Sequence, residues 1–157
     1  DAWAAISPGW KLVDPEQTSH DSVLLEGDIE TGLSVLVALR GARNSRVEPE
    51  AFEKQSKLFE RALASLSSGS LFAAMSANGM AVAAAIGDDE ALRICNSAIA
   101  RGAISAGVTG SGPAIAIICY EQHADLLAEF ARESRMEVLE AAFTQSQMLG
   151  EEASRWE

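Results

Sequence analysis

Hydrophobic and polar positions in the first part of the chain follow patterns that are typical of β-strands. They predict strands at Trp10 to Val13, Val23 to Glu26 and Leu33 to Leu39. Gly27 and Gly32 bracket the segment between the second and third of these strands, which predicts a turn. The first part of the chain is therefore predicted to be β-structure.

Later segments carry apolar side chains at the three- to four-residue spacing of helices. Pro49 suits the first turn of one helix, because its missing N–H would have no partner there in any case. This helix is predicted to end at Ser67 to Gly69. The other predicted helices run from Leu71 to Ile86, from Asp88 to Gly102 and around Ala124 to Phe130.

Three further strands complete the predicted fold. They cover Ile104 to Thr109, Ala114 to Tyr120 and Met136 to Phe143. Residues 145–157 are polar, and we expect a frayed tail. The elements together predict an α+β domain, in which an antiparallel sheet carries helices on one face.

Composition indicates one globular domain in the cytoplasm. With 157 residues and 48% hydrophobic content, the chain can bury a real core. No apolar run reaches ~18 residues, which predicts no membrane span, and residues 1–5 do not resemble a secretory signal. The sequence lacks an initiator Met, so we expect it to begin partway through a longer chain. Cys95 and Cys119 lie in apolar stretches, which favours buried, reduced thiols.

The charge of the chain argues against two classes of partner. A formal net charge of −11 disfavours nucleic acid and anionic membranes, since both require a basic face. His20 and His123 stand in polar contexts, and we expect both at the surface. The sequence contains no metal-ligand spacing and no Ser-His-Asp arrangement.

The most specific feature is the glycine-rich segment at residues 106–113, which lies between two predicted strands. Its glycines allow positive φ, so several N–H groups could point at one anion in a backbone nest. Walker and dinucleotide-binding loops are followed by a helix, so this order excludes both. An ordinary glycine-rich hairpin turn is the alternative. The candidate phosphate-binding residues are Gly107, Thr109, Gly110, Ser111 and Gly112.

The predicted helix that begins at Leu71 is the second informative segment. Small residues on nearly every side indicate that it packs tightly all round. Ser76, Asn78 and Gly79 interrupt it, and burying the asparagine amide unpaired would cost ~1–3 kcal/mol. Either Asn78 bonds neighbouring backbone, or it faces a cleft where a ligand's hydroxyl groups satisfy it.

These segments carry a resemblance to a known family. The glycine loop and the strand after it resemble the third motif of the GHMP kinases, which include galactokinase, homoserine, mevalonate and phosphomevalonate kinases. The succession Ala74-Met-Ser-Ala-Asn-Gly79, Ala83-Ala-Ala-Ile-Gly87 and Ala103 to Pro113 is similar to the archaeal-type shikimate kinases. Residues 1–9 are similar to a stretch of that branch that begins with paired aspartates.

The resemblance implies a C-terminal half of such a kinase. The family's ATP loop, Pro-x-x-x-Gly-Leu-Gly-Ser-Ser-x-Ala, does not occur in this sequence. Residues 1–20 would end the N-terminal domain, residues 21–145 would form the ferredoxin-like C-terminal domain, and residues 146–157 would be a polar tail. ATP and Mg²⁺ are the implied cofactors, both held mainly by the N-terminal half. That half is the implied partner, and we also expect self-association of the isolated, inactive chain.

The implied activity is ATP-dependent phosphorylation of shikimate to shikimate 3-phosphate, in aromatic amino-acid biosynthesis. Asp1 falls where the family keeps an acidic residue near the acceptor hydroxyl, although a ragged terminus is the alternative. Ser76 and Asn78 would bind acceptor hydroxyls. Thr109 to Gly112 would direct amides at the γ-phosphate and acceptor side of a cleft between the halves.

The acceptor's carboxylate requires a cation, and arginine forks suit carboxylates. Arg101, just before the strand that leads to the loop, is the candidate we select, beside Arg40, Arg43 and Arg46. Two other functions stay open. One is a homoserine kinase or another small-molecule kinase of the same family, and the other is a non-catalytic α+β module that binds a small anion.

Overall fold

A computed structural model of the chain describes residues 7–14, 16–17, 22–42 and 48–143. The chain forms two compact units, one from residues 1–32 with 142–157 and one from residues 33–141. In the first unit, strands β1 (Trp10–Val13) and β2 (Val23–Gly27) form a two-stranded antiparallel sheet. Both predicted strands of this unit are confirmed.

Among its described residues, the second unit has four strands and five α-helices. It begins with β3 (Leu33–Leu39). The elements that follow are α1 (Pro49–Glu53), α2 (Ser56–Ser67), α3 (Leu71–Ala85), α4 (Asp89–Ala100), β4 (Ser105–Val108), β5 (Ile115–Tyr120), α5 (Ala124–Glu133) and β6 (Glu137–Ala141). A short 3₁₀ turn at Glu121–His123 leads into α5.

The four strands form one antiparallel sheet in the order β4-β5-β3-β6. β3 is central and pairs with β5 on one side and β6 on the other, with Leu36 opposite both Ile117 and Glu140. The crossover from β3 to β4 and the crossover from β5 to β6 each contain helices, the β-α-β-β-α-β order of ferredoxin-like folds. The predicted α+β class and antiparallel sheet are confirmed.

The core lies between one face of the sheet and the helices. Alternate residues of β5 point to the same face, so Ile115, Ile117 and Cys119 are all fully buried. They belong to one apolar cluster with residues of α4 and α5, among them Cys95 and Leu127. Both thiols are free and buried, as predicted, and burial raises the pKa of Cys95 to about 11.

One predicted helix is in fact two. The helix expected from Pro49 to Ser67 is interrupted between α1 and α2, at Lys54 and Gln55. Phe52 and Phe59 stack across the interruption with ring centroids 6.0 Å apart. In a continuous helix their backbones would be about 10 Å apart along the axis. The break therefore brings the two rings together against the core.

No helix among the described residues is both long enough and apolar enough to cross a membrane.

Candidate functional site

The glycine loop connects two neighbouring antiparallel strands, β4 and β5. The Thr109 amide donates a hydrogen bond to the Ala114 carbonyl at 2.9 Å, and the Gly112 amide donates to the Thr109 carbonyl at 2.8 Å. Gly110 and Gly112 have φ values of 52° and 79°, which non-glycine residues rarely adopt. The predicted order of strand, glycine loop and strand is confirmed, and the connection is a hairpin.

This hairpin restricts which amides could receive an anion. The sequence predicts a nest that includes the N–H groups of Thr109 to Gly112, but the first and last of these donate within the turn. The Thr109 hydroxyl also donates to the Ala114 carbonyl, at 3.3 Å. The amides of Gly110 and Ser111 lie between these bonds, at the tip of the loop. The Thr109 amide and hydroxyl and the Gly112 amide are therefore already engaged within the hairpin.

Gly107 lies in β4, below the loop, where it pairs with Ala116. A Cβ on Gly107 would come within 2.9 Å of the Gly79 Cα in α3 and 3.3 Å of the Met75 carbonyl oxygen. Glycine is required here because a helix approaches the strand closely. Close packing against α3 therefore explains why residue 107 is a glycine. The sequence instead predicts that Gly107 belongs to the phosphate nest.

Ser76 connects α3 to the same strand. Its hydroxyl donates to the Ser105 hydroxyl at 3.0 Å and accepts the Ala106 amide at 3.2 Å. β4 is at the edge of the sheet, so the Ala106 amide points away from β5 and the serine satisfies it. The structure thus gives the Ser76 hydroxyl two protein partners, whereas the sequence predicts a bond to an acceptor hydroxyl.

Asn78 is exposed on α3, so the structure does not bury its amide in the core. α3 runs alongside β4 toward the loop, because Gly79 lies beside Gly107 and Ile86 lies near Gly112. Asn78 precedes Ile86 by about 12 Å along the helix axis. Its side chain is available to a ligand, on the helix that leads to the loop.

Arg101 lies at the far end of α4 from the loop. The guanidinium donates to the Ser97 carbonyl at 3.1 Å and stacks over the Phe130 ring at 4.4 Å from its centroid. The first turn of α4 is the end that lies near the loop, since Arg40 touches both Asp88 and the Pro113 carbonyl. Twelve residues of helix separate the two ends by about 18 Å. The structure does not bring Arg101 and the glycine loop together.

Arg40 lies beside the loop, with its Nη1 3.5 Å from the Pro113 carbonyl oxygen. Its guanidinium binds Asp88 through both terminal nitrogens, at 2.6 and 3.0 Å, and binds Glu90 at 2.6 Å. The hydrogen bond from Arg40 lowers the pKa of Asp88, and the hydrogen bond to Asp88 raises the pKa of Arg40. Sequence reasoning grouped Arg40 with acceptor-binding cations, because nothing local predicts a partner forty-eight residues away. The other candidates Arg43 and Arg46, like Asp1, lie outside the described residues.

Two further features bear on cofactors and acid–base chemistry. Within the described ranges, no group of three or more His, Cys, Asp or Glu residues could hold a metal ion. For a phosphate group of ATP, the described residues offer the tip of the glycine loop as a candidate contact. His123 is half-buried, contrary to the surface position predicted, and its buried Nδ1 has no hydrogen-bond partner in the described part of the chain. His20 lies outside that part.

Comparison with known proteins agrees with this architecture. Residues 38–136, more than half of the chain, match the family described as GHMP kinases C terminal. No curated protein matches the sequence. A solved structure described as a phosphotransferase related to the CoA biosynthesis pathway is 14% identical, with a TM-score of 0.58 over 76% of this chain and 40% of its own.

A homoserine kinase from Cytophaga hutchinsonii is 15% identical, with a TM-score of 0.51 over 88% of this chain and 49% of its own. Identities this low show a shared fold and no more. This chain spans less than half the length of either structure.

Proposed function

Because the chain belongs to the GHMP kinase family through its C-terminal domain, we propose that it is the acceptor-side part of an ATP-dependent small-molecule kinase. The proposed reaction is phosphorylation of shikimate to shikimate 3-phosphate. The observation that carries the proposal is the family match over residues 38–136, which include the glycine hairpin. Shikimate is proposed on the resemblance of residues 74–79, 83–87 and 103–113 to that branch of the family.

Phosphoryl transfer requires alignment and charge stabilisation more than covalent chemistry from the protein. In the proposed site, the amides of Gly110 and Ser111 face the transferred phosphoryl group, because they lie at the tip of the hairpin. Preorganised donors of this kind are most effective where water is excluded. Nothing lies within 4 Å of the position that a Cβ would take at Gly110, so a ligand can approach the backbone from that side.

The acceptor would lie along the α3 side of the loop. Asn78 is exposed there and carries both a donor and acceptor group, which suits a polyhydroxylated molecule. Asp1 is proposed to orient the acceptor hydroxyl and accept its proton. Ser76 contributes by holding α3 on β4, since its hydroxyl is already bonded to Ser105 and Ala106.

ATP and magnesium are proposed to be bound mainly by a segment outside these 157 residues. Mg·ATP would supply the phosphoryl group and neutralise its charge. The family's ATP loop is absent from this sequence. Positioning both substrates supplies ~7–11 kcal/mol of a typical rate enhancement. The 157-residue chain alone should therefore show almost no turnover.

The test is ADP release by the full-length protein with ATP, Mg²⁺ and single acceptors. Shikimate, homoserine and mevalonate are compared at equal concentration, and the 157-residue chain is assayed in parallel. Turnover with shikimate alone supports the proposal. Turnover with homoserine instead of shikimate would identify the protein as a different small-molecule kinase of the same family. Binding of a metabolite without ATP and without turnover would indicate a non-catalytic anion-binding module. Ordinary turnover by the short chain would contradict the half-enzyme proposal.

A further inference from the structure

One charged cluster lies beside the glycine loop and has no part in the proposed transfer. It consists of Arg40, which follows β3, with Asp88 and Glu90 at the start of α4. The Arg40 side chain is only 10% exposed and that of Asp88 19%, whereas Glu90 is 65% exposed. With three bonds of 2.6 to 3.0 Å to its nitrogens, the guanidinium is held in one position.

The cluster joins three parts of the second unit. Asp88 Oδ1 accepts the Ala91 amide at 2.9 Å and so caps α4 while it binds Arg40. Arg40 Nη1 lies 3.5 Å from the Pro113 carbonyl oxygen, where the loop leads into β5. That distance makes a weak hydrogen bond, but a fixed positive charge still attracts the carbonyl dipole. The loop exit is thereby tied to β3 and α4.

A second contact supports the same part of the loop. A Cβ on Gly112 would meet Val108 Cγ1 at 3.2 Å and Ile86 Cδ1 at 3.5 Å, so the backbone there lies against side chains. Ile86 caps α3, two residues before Asp88. The turn between α3 and α4 therefore supports the loop on its apolar side, and Arg40 holds it on its polar side.

We propose that Arg40 is a positioning residue for the glycine loop. It holds the Pro113 carbonyl beside the first turn of α4 and so keeps the amides of Gly110 and Ser111 in one orientation. Two carboxylates already surround this one cation, which argues against Arg40 as the ligand of an acceptor carboxylate. The loop-holding role stands on the contacts alone, and only its consequence for catalysis rests on the proposed function.

Hydrogen exchange in the full-length protein tests the holding role directly. The reporters are the amides of Thr109 and Gly112, which both donate within the hairpin, and the amides of β5 are the reference. Arg40→Met should accelerate exchange at the two reporters by about tenfold and leave β5 unchanged. Glu90→Gln is the matched control, because it removes one ion pair and leaves the contact with Pro113; its exchange should stay within about twofold of wild type.

Unchanged loop exchange in Arg40→Met, or equal acceleration everywhere, would overturn the proposal. If Arg40→Met does not fold, Arg40→Lys is compared with Glu90→Gln, and faster loop exchange in the lysine variant alone is the supporting result. In the kinase assay, we expect Arg40→Met to lower kcat with little change in the acceptor KM. The Arg40→Lys variant should recover part of the lost kcat. If the wild-type protein has no kinase activity, the proposed function is refuted. The exchange measurement still decides whether Arg40 holds the glycine loop.

Discussion

Gly79 of α3 and Gly107 of β4 meet backbone to backbone. A Cβ on Gly79 would lie 2.5 Å from the Gly107 Cα and 2.8 Å from the Val108 nitrogen. Real Cβ contacts are not that short, and the atoms in the way are backbone atoms that cannot swing aside. The helix can cover the edge of the sheet this closely only because both positions lack a side chain.

Gly79→Ala should therefore destabilise the domain despite the better helix propensity of alanine. Overpacking of this kind typically costs about 1–3 kcal/mol, more than the ~1 kcal/mol that alanine gains over glycine in a helix. The free energy of unfolding in urea measures the difference. Asn78→Ala, at the adjacent exposed position, is the control and should be neutral or slightly stabilising. A stable Gly79→Ala variant would show that helix and strand are farther apart.

Ser76→Ala should lower stability because it leaves the Ala106 amide without its hydroxyl partner and removes a bond to the buried Ser105. The expected loss is about 1–3 kcal/mol. A double-mutant cycle with Ser105→Ala measures how much of it belongs to the serine pair. If Ser76→Ala instead keeps full stability and raises only the acceptor KM, its hydroxyl belongs to the binding site, as the sequence predicted.

Asn78→Ala should raise the acceptor KM of the full-length enzyme and leave the melting temperature nearly unchanged. An exposed side chain away from the core typically changes stability by no more than about 0.5 kcal/mol. Steady-state kinetics and thermal unfolding on the same preparation separate the two effects. An unchanged KM would remove Asn78 from the proposed site.

Gly110→Val should abolish phosphoryl transfer while the domain stays folded. Nothing lies within 4 Å of a Cβ at Gly110, but its φ of 52° is costly for a β-branched residue. Gly69→Val is a matched control, because Gly69 also has positive φ and open space, at the turn between α2 and α3. Similar stability losses with activity lost only in Gly110→Val are expected. Normal turnover in Gly110→Val would exclude the loop from catalysis.

Acid should weaken the Arg40–Asp88 pair. The hydrogen bond from Arg40 lowers the pKa of Asp88 in the folded protein, so the pair stabilises the fold fully above the ordinary aspartate pKa of about 4. The stabilisation is lost as pH falls below that value through the lowered pKa. Asp88→Asn keeps a good helix cap but not the charge. The stability gap between wild type and this variant should therefore be wide at pH 7 and close progressively below about pH 4. If the stability difference between wild type and Asp88→Asn does not depend on pH, the ion pair with Arg40 does not stabilise the fold through the Asp88 charge.

The sequence alone determined the local elements and the family. Strand and helix spans follow from neighbouring residues: the apolar spacing of α2 and the capping aspartate of α4 are both short-range signals. The glycine hairpin was visible for the same reason, since its glycines and both flanking strands are contiguous. Each of these features depends on residues within a few positions of each other.

Only the tertiary structure decided what individual polar and small residues do. Gly107 packs against Gly79, Ser76 bonds Ser105, and Arg40 binds Asp88, and each of these partners is distant in sequence. Arg101 precedes the loop strand closely in sequence but lies at the other end of α4. A side chain's partners depend on how helices cross the sheet, and that depends on packing over the whole core, which no short segment of sequence encodes.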